Sequence, residues 1–396
     1  MTSEPSLAMF RGTPRFRGLL PVGQYYWPTW ERYEQAARDI FLRRFYTSQR
    51  FAGPLVIRFQ QQLQEFLGVK HVVAVRNAAS ALMIVTHSLG LRGKVIVPSW
   101  ASMTTIQSLR WSKCQPVFCD IDPQSQQICL ESLRQLLGRG EIEGILGVHL
   151  WGNALPVREL EMLAAQYGVA LYQDASHAFG CRVNDKAIGT FGRAEAFSFH
   201  AANILSTAEG GCITTNDDAL AAHCTAMRGD HVSAQVWMQS ATARMSEIQA
   251  AIGLMMLDDF EQNRERNGQL HRSYERYLSD IPGITILKPS GATVSNFQNF
   301  VGVIDPSKFG LTRDNLLAVL QAENIAAERH FHSPGHLAEP YPERLENTEF
   351  AMQRTFQLPI GARVTIEQIE QICEVISEAY RHSEFVRSVL TARAVG

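Results

Sequence analysis

Charge is scarce in this chain of 396 residues: 19% are Asp, Glu, Lys or Arg, and 37 basic side chains nearly cancel 39 acidic ones. A formal net charge of -2, without any block of basic residues, offers no electrostatic footprint for DNA or RNA. Long hydrophobic runs are missing too. No stretch reaches the length of a membrane span, and Met1 to Leu20 mixes small, charged and apolar residues where a secretory signal would be continuously apolar. The seven cysteines are odd in number, scattered and never in a CxxC pair, which argues against a disulfide framework or a metal cluster. Internal repeats and low-complexity segments are absent. The expectation is a cytoplasmic protein with a small-molecule partner, no nucleic acid and no membrane.

What the chain does have is apolar residues, 45% of the total, enough for a large core. Helical spacing runs from Trp30 to Phe45, and Pro54 opens a second helix with Leu55, Phe59, Leu63 and Phe66 on one face. Short β-rich runs follow at His71 to Val75, Lys94 to Val97, Pro116 to Asp120, Gly144 to Leu150, Val169 to Tyr172 and Ala194 to Phe199. Strands apolar nearly throughout and separated by helices such as Val157 to Tyr167 predict an α/β fold with a mostly parallel sheet covered on both faces. A long helical stretch is expected from Met245 through Leu278, before Pro282-Gly283 and Pro289-Ser290-Gly291 break the pattern. There the sequence suggests a division into a large domain, 1–280, and a smaller α+β domain, 281–396. The latter holds a strand at Asn299 to Ile304 and helices at Thr312 to Glu323 and Ile366 to His382.

In an open α/β sheet, ligands bind beyond the carboxyl ends of the strands. The residues there include Asn77-Ala78-Ala79-Ser80, Pro98-Ser99-Trp100, His149-Leu150-Trp151, Asp174-Ala175-Ser176-His177 and Ser198-Phe199-His200. Asp174, at the end of an apolar strand, is costly to bury unless a cation or a set of donors meets it. It reads either as a helix N-cap or salt-bridge partner, or as the counter-ion of a protonated pyridine nitrogen. Trp100 is either core filling or a plate for a flat cofactor. The passage from strand into helix at Arg76 to Leu82 offers backbone N–H groups to a phosphate, although Ala78 and Ala79 supply no hydroxyl. His330, His332 and His336 lie close in sequence but lack a carboxylate pattern, so a polar pocket wall is expected and no metal.

In order along the chain, these segments resemble the aspartate aminotransferase fold (fold type I), specifically the nucleotide-sugar aminotransferases called DegT/StrS. The resemblance spans roughly residues 20 to 385. Its pieces include Phe45-Tyr46-Thr47-Ser48, Asn77-Ala78-Ala79-Ser80-Ala81-Leu82, Val148-His149-Leu150-Trp151-Gly152, Gln173-Asp174-Ala175-Ser176-His177-Ala178-Phe179-Gly180, Phe197-Ser198-Phe199-His200-Ala201-Ala202-Asn203, Glu209-Gly210-Gly211 and Arg244-Met245-Ser246-Glu247.

The resemblance implies a cofactor, pyridoxal phosphate or pyridoxamine phosphate, and a homodimer with shared active sites whose substrate is a nucleotide-sugar. It assigns Asp174 to the pyridine nitrogen, His177 to the neighbourhood of the phenolic oxygen and Trp100 to the ring face. The backbone of Ala78 and Ala79 with the Ser198 hydroxyl would hold the phosphate, and Arg244 would approach the partner's cofactor. The stretch Arg329 to Tyr341 is similar to the segment that lines the sugar pocket, with His149, Trp151, Lys186, Arg329, His330 and His336 as candidate substrate contacts.

Three positions depart from the family pattern. Asn203 stands where the family has the lysine that holds the cofactor covalently and moves the proton. Ala78-Ala79 replaces Gly-Thr, and Thr242 replaces the usual asparagine. Four readings follow: a sugar aminotransferase with a replaced lysine, a lysine-free pyridoxamine phosphate enzyme resembling the sugar 3-dehydratases with His177 or His200 as base, a non-catalytic cofactor- or sugar-binding homologue, and a metal-dependent hydrolase. The first two carry the expectation, with the cofactor held noncovalently.

Overall fold

Valines, isoleucines and leucines that alternate without polar interruption need apolar cover on both sides of a sheet, and the chain supplies it. A computed structural model describes residues 6–47, 51–230, 240–338 and 341–395; Ser48 and residues 339–340, which belong to two of the resembling segments, lie outside them. The large sheet has seven strands in the order β1-β9-β8-β5-β4-β2-β3. They are β1 (His71–Val75), β2 (Lys94–Pro98), β3 (Gln115–Cys119), β4 (Ile142–Val148), β5 (Ala170–Asp174), β8 (Ala194–Ser198) and β9 (Gly211–Thr215). Six run the same way and β9 runs against them, antiparallel to both β1 and β8. A two-stranded hairpin, β6 (Arg182–Val183) and β7 (Lys186–Ala187), leaves the sheet after β5.

Alternate residues of one strand serve different cores. Val72 and Ala74 pack with Phe59, Leu63 and Met256, whereas Val73 and Val75 pack with Leu82, Val85 and Ile106. Both faces are thereby dry, the condition a parallel sheet requires. The sheet and its helices confirm fold type I.

A second sheet, β10 (Ile284–Ile286), β11 (Phe300–Ile304) and β12 (Thr355–Leu358), is antiparallel and is covered by the helices Arg313–Ala322 and Ile366–Arg381. Its core also takes Leu7, Met9, Phe16 and Leu20 from the amino terminus and Leu270, Tyr274 and Leu278 from the helix Phe260–Leu278. The core of this smaller sheet therefore draws on residues before position 280 as well as after it.

The structure refines two expectations. The helical stretch expected from Met245 through Leu278 consists of two helices, Glu247–Asp258 and Phe260–Leu278. Ser246 starts the first with a reciprocal capping box to Gln249. At the break, Arg32 Nη1 donates to both carboxylate oxygens of Asp259, at 2.8 and 2.7 Å. The other omission is β9, whose Gly-Cys-Ile-Thr-Thr composition gives little strand signal, yet all five residues are buried between β1 and β8.

Candidate active site

The carboxyl ends of β5 and β8 and the starts of the helices Ala78–Ser88 and Met103–Trp111 enclose a cleft of about 420 Å³. Its wall includes Ala78, His149, Asp174, Ser176, His177, Ser198, His200, Asn203 and His330 and also Phe331, all within the segments expected from the sequence, together with Ser102, Thr104 and Thr105, which were not. Size does not single it out. A larger cavity, about 610 Å³, lies beside Asn153, Leu155 and Ser290 and holds none of the predicted site residues.

Asp174 is 5% exposed. Its Oδ2 accepts from Thr105 Oγ1 at 2.5 Å, and its Oδ1 accepts from Ser176 N at 3.0 Å and Ser176 Oγ at 2.6 Å. No Lys or Arg among the described residues pairs with it, so a buried carboxylate faces the cleft with neutral donors alone. Both bland sequence readings of Asp174 fail, since it neither caps a helix nor joins a salt bridge to Lys or Arg. A cationic N–H of a bound ring is the partner such a group would take.

Two residues past β1, the cup begins. Asn77 caps the helix Ala78–Ser88, its Oδ1 accepting from Ser80 N at 2.9 Å. That uses the third amide of the helix and leaves those of Ala78 and Ala79 at the opening, where the helix dipole favours an anion. Ser198 Oγ accepts from His200 N at 3.3 Å, which leaves the hydroxyl proton free to donate. Gly211 on β9 keeps this corner open, because a Cβ there would sit 2.9 Å from Asn77 C and 3.0 Å from Ala78 N. The set fits a phosphate-bearing pyridine.

Asn203 is 9% exposed and is hydrogen-bonded through both ends of its carboxamide. Its Nδ2 donates to Ser198 O at 2.9 Å and its Oδ1 accepts from Gln298 Nε2 at 3.0 Å. Gln298 in turn takes Ile204 N on Oε1 at 3.1 Å and offers its carbonyl to Gln24 Nε2 at 2.5 Å. The Asn203 side chain thus ends a buried amide network tying the β8–β9 connection to the amino-terminal segment.

The imidazoles differ. His149 is fixed in its tautomer: Nδ1 accepts from Leu155 N at 3.1 Å, so Nε2 carries the proton toward Gln173 Oε1, with Glu195 Oε1 3.3 Å away. His200 Nδ1 accepts from Ala202 N at 3.2 Å, and its Nε2 lies 3.8 Å from Glu209. His177 has a buried Nδ1 without a partner among the described residues. Burial lowers its pKa from the ordinary histidine value, and the Asp174 charge offsets part of this. His330, whose ring centroid is 5.8 Å from that of His177, is pushed down to about 3 by burial and by the neighbouring His177 and His332.

Several predicted residues lie elsewhere. Trp100 does not line the cleft; it is fully buried and donates from Nε1 to Gln126 Oε1 at 3.0 Å, the core-filling role. Trp151 donates to the same oxygen at 3.1 Å and backs the wall, its ring 5.6 Å from His177 and 5.2 Å from His330. Ala79 adjoins the cup without lining it, Lys186 is exposed on β7, and Thr242 is exposed. Arg244 donates to Gly229 O. His336 is buried, its Nδ1 2.6 Å from Ser99 Oγ, and Arg329 turns away from the cleft toward Asp314. Among the described residues no group of histidines, cysteines and carboxylates could hold a metal ion, so nothing here supports the metal-hydrolase reading. Nor is any described helix long and apolar enough to cross a membrane.

Fold and cleft together define an enzyme of the pyridoxal phosphate fold type I. The chain belongs to the DegT/DnrJ/EryC1/StrS aminotransferase family, whose profile matches residues 35–377. It is 29% identical to a dTDP-4-amino-4,6-dideoxy-D-glucose transaminase of Shigella dysenteriae, over 82% of this chain and 90% of that one. It is 26% identical to a GDP-perosamine synthase of Vibrio cholerae, over 83% of this chain and 91% of that one. The solved structure of DesI in the presence of its TDP-sugar product superposes with a TM-score of 0.91 at 32% identity, covering 98% of this chain and 99% of the other.

Proposed function

We propose that the chain is a sugar-metabolising enzyme that uses pyridoxamine or pyridoxal phosphate held noncovalently and acts on the keto group of a nucleotide-linked sugar. The observation that carries this reading is Asn203, an amide that cannot form the covalent bond and is hydrogen-bonded at both ends to the protein. When bound, such a cofactor supplies an electron sink next to the reacting carbon. Asp174 would pair with its ring nitrogen, and the Ala78 and Ala79 amides with Ser198 would hold its phosphate.

His177 is the group we assign to the proton. Its lowered pKa keeps it neutral near pH 7, able to accept, and its unpartnered Nδ1 is free to do so. His200, with Nδ1 committed to its own loop, has less to offer. A dehydratase-like outcome is the second reading, favoured because two cleft imidazoles, His177 and His330, stand where no lysine does. We also propose a homodimer. Trp30, Phe41 and Leu42 are 66%, 70% and 73% exposed on one amino-terminal helix, a cost that a second subunit would remove.

Spectral titration of the protein with pyridoxamine phosphate tests the first element, and turnover of nucleotide-linked keto-sugars by the loaded protein tests the second. Saturable binding without borohydride trapping is expected. Failure to bind either cofactor form would sink the proposal.

A further inference from the structure

The segment Glu328 to His332 has two working faces. His330 and Phe331 form part of the cleft wall, whereas Arg329 and His332 line a different pocket, of about 430 Å³, on the small domain. Arg313 and Arg354 are in that second pocket too, with Asp314 as the acidic residue among its lining. Three guanidinium groups against one carboxylate leave the lining at a formal +2 before His332 is counted.

The guanidiniums are anchored but not used up. Arg313 is 5% exposed; its Nε pairs with Asp314 Oδ1 and its Nη1 donates to Thr355 O at 2.9 Å. Arg329 Nε meets the same Asp314 oxygen at 3.1 Å. Arg354 stacks on Phe350, 4.0 Å from its ring centroid, and reaches Asp305 Oδ1 at 3.8 Å, a carboxylate it shares with Lys308 at 3.9 Å. The Nη2 of Arg313 has no partner among the described residues, nor has either terminal nitrogen of Arg329. A buried Arg held by its neighbours with an uncommitted donor is a preorganised anion receptor, since little side-chain freedom remains to be lost on binding.

We infer that this pocket binds a phosphate-bearing anion, and that its occupancy is felt in the cleft. The route is continuous. Thr355, whose carbonyl holds Arg313, accepts on Oγ1 from Gln126 Nε2 at 2.7 Å. Gln126 Oε1 holds the indole of Trp151, whose ring lies 5.2 Å from His330. Arg329 and His332 flank the two cleft residues directly. An anion that draws Arg329 away from Asp314 therefore repositions His330 and Phe331. The anion is either free, as inorganic phosphate or pyrophosphate, or the diphosphate of a nucleotide. The inference does not depend on the cofactor reading.

The test is calorimetric titration of the full chain, without cofactor and at fixed ionic strength, with phosphate, pyrophosphate and a nucleoside diphosphate. Binding is expected, and Arg329→Gln and Arg354→Gln, at side chains away from the core, should each weaken it about tenfold. Asp314→Asn removes a competing carboxylate and should strengthen it. Pyrophosphate and nucleoside diphosphate binding equally would mark a free anion as the ligand; a nucleotide binding ten times tighter would mark a substrate tail. No binding by any probe overturns the inference. So does binding that pyridoxamine phosphate displaces completely, or that Arg329→Gln and Arg354→Gln leave unchanged, because the anion would then occupy the cleft.

Discussion

Replacing Asn203 by lysine would place an amine in the cleft and damage the local structure, and both effects can be measured. The substitution removes two buried hydrogen bonds, Nδ2 to Ser198 O and Gln298 Nε2 to Oδ1, at 2.9 and 3.0 Å. A net hydrogen bond is worth roughly 0.5–1.5 kcal/mol, and an orphaned buried donor costs about 1–3 kcal/mol more. Gln298, 2% exposed, would keep its carboxamide oxygen on Ile204 N and lose the acceptor for its nitrogen. A destabilisation of about 2–6 kcal/mol follows, brought toward the lower part of that range, about 2–4 kcal/mol, because the new ammonium shares a cleft with Asp174. In a chain this long that lowers Tm by a few degrees, about 2–5 °C. The assays are thermal unfolding, and borohydride reduction after pyridoxal phosphate addition with mass spectrometry to locate the adduct. A less stable protein that gains an adduct at position 203 is the expected result. An unchanged or raised Tm would refute the claim that the amide closes the network; a destabilised protein without an adduct would refute the placement of this side chain against the cofactor.

Three other outcomes follow. Asp174→Asn should weaken pyridoxamine phosphate binding by tenfold or more in a spectral titration, with little change in fold by circular dichroism, because the carboxylate has no structural cation to abandon. Gln126→Leu should cost about 2–5 kcal/mol by denaturant unfolding: Gln126 is 1% exposed and accepts from the indoles of both Trp100 and Trp151. Stability should fall on acidification from about pH 6.5 toward pH 4. His271 and His330 have folded pKa values lowered to about 4 and about 3, chiefly by burial, so in that window the unfolded chain binds more protons. Each contributes up to about 1.4 kcal/mol per pH unit, and His271→Leu should reduce the proton uptake on unfolding by close to one.

The large sheet was legible because its strands carry their signal locally. His71–Val75 and Lys94–Pro98 are apolar runs bounded by turns, and burial on both faces follows from that pattern alone. β9 was not legible: a strand of glycine, cysteine and threonines owes its existence to two neighbours more than a hundred residues apart in sequence. The same holds in the site. Asp174, Ser176, His177 and Ser198 could be chosen as strand-end residues, and Asn203 only through the resemblance. Thr105 could not, because nothing in sequence says whose hydroxyl will meet a carboxylate across the cleft.

The sequence by itself determined the class of fold and the edge of the sheet on which the cleft opens, since each depends on residue type and period along one strand or turn. Tertiary structure decided what those residues do. Trp100 and Trp151 compete for one glutamine oxygen, so Trp100 is core and not a plate; Arg329 and His330 are adjacent in sequence yet line different pockets. Asn203 reads as a missing lysine along the chain and as the end of a buried amide network in space, because its partners Ser198 and Gln298 are brought to it only by folding.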